Sequence, residues 1–247
     1  MKPSPVRTPI YLLLAACLAS PGASFAAEPG WDWFGTTYLW AAGVTADFDE
    51  DARVSDSTTG FSDILDKTDL SFMGHIEGQG DDVGVQADLV YLALGDSKDF
   101  ATASIDADVT TTIFDVAMVW SPGAVRYEGI ELIAGLRYLS LDFEAEIDPV
   151  NPALPGRVSG IDRSFTDALV GARYVFPLTD QWSMGLRADS SFGNSEGTWS
   201  ASLNFRREFG QRALVFGYRY FSVEVQPGDQ SFELQFHGPQ IAYGWRW

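Results

Sequence analysis

The chain has 247 residues, 46% of them hydrophobic and 14% aromatic, with 34 acidic side chains against 16 basic ones and a formal charge of −18. Such a surface repels nucleic acid, and a mean hydropathy of −0.03 with this aromatic content excludes a disordered acidic chain. The single cysteine, Cys17, excludes a disulfide framework and Cys-based metal sites.

Taken in order, residues 1–26 read as a secretory signal. Lys2 and Arg7 form a positive n-region, Ile10 to Leu18 an apolar h-region, and Ser24-Phe25-Ala26 a small-x-small cleavage site. The apolar run is shorter than the ~20 residues a spanning helix needs. A competing reading is Leu14-Ala15-Ala16-Cys17, which has the form of a lipoprotein box and would place lipid on Cys17. Cleavage after Ala26 removes two basic residues and no acidic one, so residues 27–247 are more acidic still. Those residues are compatible with one barrel domain.

Ten alternating segments follow, at 31–48, 68–79, 82–96, 103–120, 129–147, 163–176, 181–193, 198–208, 213–225 and 231–247. Strand side chains have period two. In the last segment Ile241, Tyr243, Trp245 and Trp247 share one face, and Ala242, Gly244 and Arg246 the other. In 198–208, Trp199, Ala201, Leu203 and Phe205 oppose Ser200, Ser202, Asn204, Arg206 and Glu208. The connections after segments two, four, six and eight are short, and those after one and five are long and acidic. This pattern predicts an all-β fold: an antiparallel transmembrane β-barrel of ten strands, with eight and twelve as the neighbouring even counts. Tryptophans support it. Trp31, Trp33, Trp120, Trp182, Trp245 and Trp247 mark one set of segment ends and Trp199 the other, as an interfacial girdle requires. Only Trp40 falls well inside a segment.

Alternation breaks in three places: near Leu139, near Tyr220-Phe221, and at Gly238-Pro239. The breaks read either as bulges or as strands continuing above the membrane.

A G-x-R unit recurs at Gly135/Arg137, Gly171/Arg173, Gly185/Arg187, Gly217/Arg219 and Gly244/Arg246. Its Gly and Arg share the inward face, where the glycine is expected to leave room beside a guanidinium. By the same parity Glu77, Asp88, Asp115, Glu131, Asp167, Asp189, Arg206 and Glu208 also point inward. Seven carboxylates against Arg137, Arg173, Arg187, Arg206, Arg219 and Arg246 predict a paired lumen network. It reads either as an ion-paired filling or as the lining of a narrow selective pore.

His75 and His237 are the only histidines. With nearby carboxylates and a serine they suggest a hydrolase, but no nucleophile signature accompanies them. Asp47/Asp49 and Asp106/Asp108 read as an acidic rim, with an aspartyl site or divalent-cation ligands as the sharper alternatives. Phe61, Ser62, Asp63, Ile64 and Leu65 have the form of a capped helical turn that either plugs the barrel mouth or packs on its rim. No catalytic residue, metal or cofactor is assigned.

Trp31-x-Trp33, Tyr38-Leu39-Trp40-Ala41, Asp88-Leu89-Val90-Tyr91, the G-x-R strands and Gly238-Pro239 resemble the small outer-membrane β-barrels of Gram-negative bacteria. Broadly these are OmpA-type barrels without a periplasmic domain, and more narrowly a functionally uncharacterised group of them. The resemblance implies an outer-membrane location and contact with outer-membrane lipid and lipopolysaccharide. It also implies recognition of the C-terminal strand by the barrel-assembly machinery. It leaves oligomeric state open and carries no activity. The expected role is structural or that of a narrow, porin-like pore. The alternatives are an outer-membrane enzyme acting on lipid or peptide, and an acidic adhesin or cation-binding surface protein.

Overall fold

Eleven strands carry the fold: β1 (Asp32–Trp40), β2 (Gly43–Phe48), β3 (Thr68–Gln79), β4 (Val83–Asp99), β5 (Ala103–Trp120), β6 (Gly129–Pro149), β7 (Arg157–Thr179), β8 (Trp182–Phe192), β9 (Thr198–Phe209), β10 (Arg212–Val225) and β11 (Phe232–Arg246). The computed structural model describes residues 30–48, 68–99, 103–122, 126–150, 155–225 and 232–247. The leader with Cys17, the 61–65 turn and Asp49 lie outside the described residues.

Each strand from β3 to β11 pairs antiparallel with the next in sequence, and β1 pairs with both β3 and β11. The sheet is therefore a closed up-and-down barrel in its short-turn half, whereas in the long-loop half β2 pairs with β11 and not with β3. β1 and β2 act as one stave. Trp40 pairs with Gln240 and Gly43 with His237, so both strands meet β11 in a single register. The gap between them faces Gly238 and Pro239. Pro239 has no N–H to give, and its carbonyl accepts the Ala41 N–H at 2.9 Å. Ten staves result, the number the segments predict. β4 and β7 run further than predicted, with β4 reaching Asp99 and β7 beginning at Arg157.

Outward positions in one half of the barrel are large and apolar. In β5, Phe114, Val116, Met118 and Trp120 are 41–61% exposed, while Ile113, Asp115, Ala117 and Val119 between them are buried. The band continues through Ile76, Val85, Leu132, Leu136, Val170, Leu186, Leu203, Phe216, Ile241 and Tyr243, all exposed. Trp31 stacks on Trp33 and Trp245 on Trp247 at the end where the chain termini and short turns gather.

The three expected breaks in alternation are not bulges. β6 keeps one continuous register against β5 and β7, and β10 keeps one against β9 and β11. What changes is the environment. Leu139 and Leu141 keep the inward parity of Arg137 and are buried, while Asp142, Glu144 and Glu146 point outward and are exposed. The long-loop half therefore has an apolar inside and a polar outside, the reverse of the other half. Register irregularities lie elsewhere, at Thr68/Leu70 and Pro177/Thr179.

The inward glycines also depart from expectation. A Cβ at Gly135 would sit 2.1 Å from the Val116 carbonyl oxygen, and one at Gly217 2.1 Å from that of Leu203. These glycines let neighbouring strands approach, rather than making room for a guanidinium. Gly185 differs, with nothing within 4 Å of an added Cβ. Gly135→Ala is accordingly expected to destabilise the barrel by about 1–3 kcal/mol through overpacking. Gly185→Ala is expected to stay within about 0.5 kcal/mol of the parent. Denaturant unfolding of both variants in one detergent checks the contrast.

Candidate functional site

The lumen of the short-turn half holds the polar side chains, because every strand there presents its inward parity to a space no wider than a few residues. Arg137 is fully buried at its centre. Its Nε and Nη2 donate to Asp115 at 2.8 and 2.7 Å, Nη2 also to Asp189 at 2.8 Å, and Nη1 to the Thr198 hydroxyl at 2.9 Å. Its guanidinium also lies 5.3 Å from the Phe221 ring centroid. Asp189 accepts a further bond from Arg187 Nε at 2.8 Å.

A second cluster lies nearer the short turns. Arg173 donates to Glu77, with Nη1 at 2.8 Å, and to Glu131. Gln79 bridges the two acids, donating to Glu77 at 2.9 Å and to Glu131 at 2.5 Å. Arg206 and Arg246 share Glu208, at 2.9 and 3.2 Å. Asp88 accepts from the Tyr38 hydroxyl at 2.9 Å and stands 3.5 Å from Arg219. His75 sits between Glu77 and Asp88, 3.3 Å from each.

The predicted inward residues thus meet in ion pairs, with one exception. Asp167 faces the lumen in register with Arg137, yet its carboxylate holds the β8–β9 loop. It accepts the Asn194 N–H at 2.7 Å, the Ser195 N–H at 3.0 Å, the Ser191 hydroxyl at 3.2 Å and the Ser195 hydroxyl. Several contacts join staves that are not neighbours: Arg173 of β7 to Glu77 of β3, Arg137 of β6 to Asp189 of β8, and Arg219 of β10 to Asp88 of β4. They brace the barrel across its width. The charges are also partly segregated. Glu77, Asp88, Asp115 and Glu131 lie on β3 to β6 and Arg173, Arg187, Arg206, Arg219 and Arg246 on β7 to β11, but Arg137 lies on β6, and Asp167, Asp189 and Glu208 on β7 to β9.

Apolar side chains flank this zone at both ends. On the short-turn side, Phe34 packs under the Arg206 guanidinium, 3.9 Å from ring centroid to Cζ. Tyr127, from the β5–β6 turn, lies beside it in one cluster. Tyr127 adopts a left-handed φ of 58°, and its hydroxyl donates to the Asp32 carbonyl at 2.6 Å. Burial pushes this phenol well above its ordinary range, so it remains a donor at any physiological pH. On the long-loop side Trp40, Met73, Val90, Leu92, Ile113, Leu139, Leu141, Phe221, Val223 and Phe236 pack as one buried cluster drawn from β1, β3 to β6, β10 and β11, with Phe165 of β7 against it. Trp40, the tryptophan that did not fit the girdle, belongs to this layer.

The two histidines do not converge. His75 is inside the lumen. His237 has the opposite parity to the buried Phe236 and lies on the outer wall, where its Nδ1 meets the Tyr218 hydroxyl at 2.8 Å and its ring stacks on Tyr220. The barrel wall separates them. Asp106, Asp108, Asp142, Glu144, Glu146 and Asp162 share the exposed outer face of β5 to β7, with Asp106 opposite Glu146 and Asp108 opposite Glu144. Among the described residues no three carboxylates or histidines gather as metal ligands would.

Residues the sequence reading passed over include Gln79, Tyr38 and Thr198, which complete the network, and Phe34 and Tyr127, which close it. Gln79 and Phe34 had a usable signal, since each has the parity of an inward neighbour. Tyr127 had none, because a turn residue has no strand parity.

No protein-family model and no curated protein sequence matches the chain. Among solved structures the chain is similar to Ail, the attachment invasion locus protein of Yersinia pestis, at 12% identity and a TM-score of 0.38 over 88% of this chain and 99% of that one. It is similar to the translocator domain of the autotransporter NalP from Neisseria meningitidis at 12% identity and a TM-score of 0.37, over 90% of each. A third is CarO of Acinetobacter baumannii, at 9% identity and a TM-score of 0.33 over 85% and 98%.

Proposed function

We propose that this chain is an outer-membrane β-barrel with a structural role and a lumen closed to ion flow. The membrane location is supported by the outward apolar band that girds all ten staves and by the stacked tryptophan pairs at one rim. The short-turn end, where β1 begins and β11 ends, then faces the periplasm, and the acidic half of β5 to β7 stands outside the cell.

The single observation that carries the closed reading is the buried apolar cluster centred on Phe221, Phe236 and Trp40. A conducting pore needs a continuous wet path, and an apolar constriction opposes one by excluding water. Below it, Arg137 and Arg173 have buried carboxylates on more than one side, which holds the charges to each other rather than to a permeating ion. Against the narrow-pore reading, purified protein in a planar bilayer is expected to give no discrete current steps. Reproducible ohmic steps from the unaltered chain would sink the closed reading and favour the pore. A hydrolase acting on lipid or peptide gains no support, because His75 and His237 lie on opposite sides of the wall.

A further inference from the structure

Between the floor and the apolar layer lies a cavity of about 190 Å³. At ~30 Å³ for each water it holds roughly six waters, or a solute of a few heavy atoms. One side is built from small and polar groups: Ser183, Gly185, Ser200, Ser202 and Asn204. Facing them are charged side chains of both signs, and their hydrogen-bonding capacity is unevenly spent.

The carboxylates in the cavity wall are committed. Glu77 accepts from Arg173 and Gln79, Asp115 takes two bonds from Arg137, and Asp88 is held by Tyr38, His75 and Arg219. The guanidinium groups are not. Among the described residues Arg187 spends only its Nε, on Asp189. Arg206 shares one carboxylate, Glu208, with Arg246, and its Nε is buried with no partner among the described residues. Arg219 has only long contacts, 3.3 Å to the Tyr38 hydroxyl and 3.5 Å to Asp88. Ser202, in register with both Arg187 and Arg219, accepts from the Asn204 amide at 3.4 Å, and no described protein group takes its own O–H. An arginine has five donors and no acceptor, so the unused capacity of these guanidinium groups is wholly donor. Buried donors without acceptors are costly. The matching occupant is an acceptor with negative charge.

We propose that the lumen cavity is a binding site for a small oxyanion, a carboxylate or a phosphate, held by Arg187 and Arg219 with the Ser202 hydroxyl that lies between them in one cross-strand row. Charge-assisted bonds from a guanidinium suit planar carboxylates and phosphate oxygens alike. The cavity admits only the smallest members of the class. This site does not depend on whether the barrel conducts, because its enclosing walls are the same in either case.

The test is refolding of the full mature chain in detergent with formate, acetate or phosphate present from the start, so that slow entry does not mask binding. Ionic strength is held constant with a sulfonate buffer too bulky for the cavity. A site predicts a saturable rise in unfolding temperature, and exchange broadening of the ¹³C signal of labelled formate. Arg187→Gln should weaken the response at least tenfold. Gly185→Leu, which fills open space beside Arg187, should abolish it while the barrel keeps its heat-dependent gel shift. Phosphate acting where formate and acetate do not assigns the site to phosphate, and the reverse assigns it to carboxylates. The proposal is overturned if none of the three gives a saturable shift, or if Gly185→Leu responds as strongly as the parent.

Discussion

Replacing Arg137 by alanine is expected to cost the barrel about 3–5 kcal/mol of unfolding free energy, the range for breaking a buried charge pair from one side. The size follows from what is left behind. Asp115 and Asp189 are 2% and 1% exposed as side chains, and both face this guanidinium at 2.7–2.8 Å. Among the described residues Asp115 makes no second ion pair, Arg219 acting on it only at longer range, while Asp189 retains Arg187. Thr198 loses its donor as well, although its hydroxyl keeps Ser191 at 2.7 Å. The measurement is urea unfolding of refolded protein, followed by tryptophan fluorescence. A double-mutant cycle with Asp115→Ala separates pairing from packing: the second substitution should recover part of the loss, because it removes the stranded carboxylate. Losses that simply add would mean that the two side chains act independently, and the network would not be a network.

Opening the apolar layer is expected to have the largest functional effect. Phe221 is 0% and Phe236 2% exposed, with their rings 6.2 Å apart. Phe221→Ala should destabilise by about 3–5 kcal/mol, the cost of lost burial plus a residual cavity. The double variant Phe221→Ala/Phe236→Ala removes two rings from the middle of the layer and should turn a silent barrel into one with discrete bilayer currents. If the double variant folds, shown by its heat-dependent gel migration, and still carries no current, the layer is not what closes the lumen. Closure would then rest on the Arg–carboxylate zone beneath it.

Much of this fold was legible in the residues. Period-two alternation in 181–193 and 198–208 placed β8 and β9 almost to the residue, and the ten alternating segments gave the stave count. The inward parity of Glu77, Asp115, Arg137 and Arg173 was readable for the same reason. Parity misled only where the surroundings changed. At Leu139 the alternation of apolar residues inverts, which suggested a bulge. The register is continuous, and the inside of the barrel, rather than the strand, changes character. Trp40 looked out of place among interfacial tryptophans because it belongs to that apolar interior. The glycines of the G-x-R units share the inward parity, but at Gly135, Gly171, Gly217 and Gly244 their reason is the close approach of the next strand, with Gly185 the exception. A lone sequence does not contain that distance.

The chain's own pattern thus determined the class of fold, the stave number and which side chains face in. These follow from strand geometry, which is local. Tertiary structure decided the rest. Which carboxylate meets which guanidinium depends on contacts across the barrel, and Asp167, identical in parity to its neighbours, serves the β8–β9 loop because Ser191, Asn194 and Ser195 reach it first. The separation of His75 from His237 by the barrel wall, the floor made by Tyr127 and the cavity with surplus donors all arise from closure of the sheet. Closure brings residues as distant as Glu77 and Arg173 within 2.8 Å, and no local periodicity encodes which distant residues will meet.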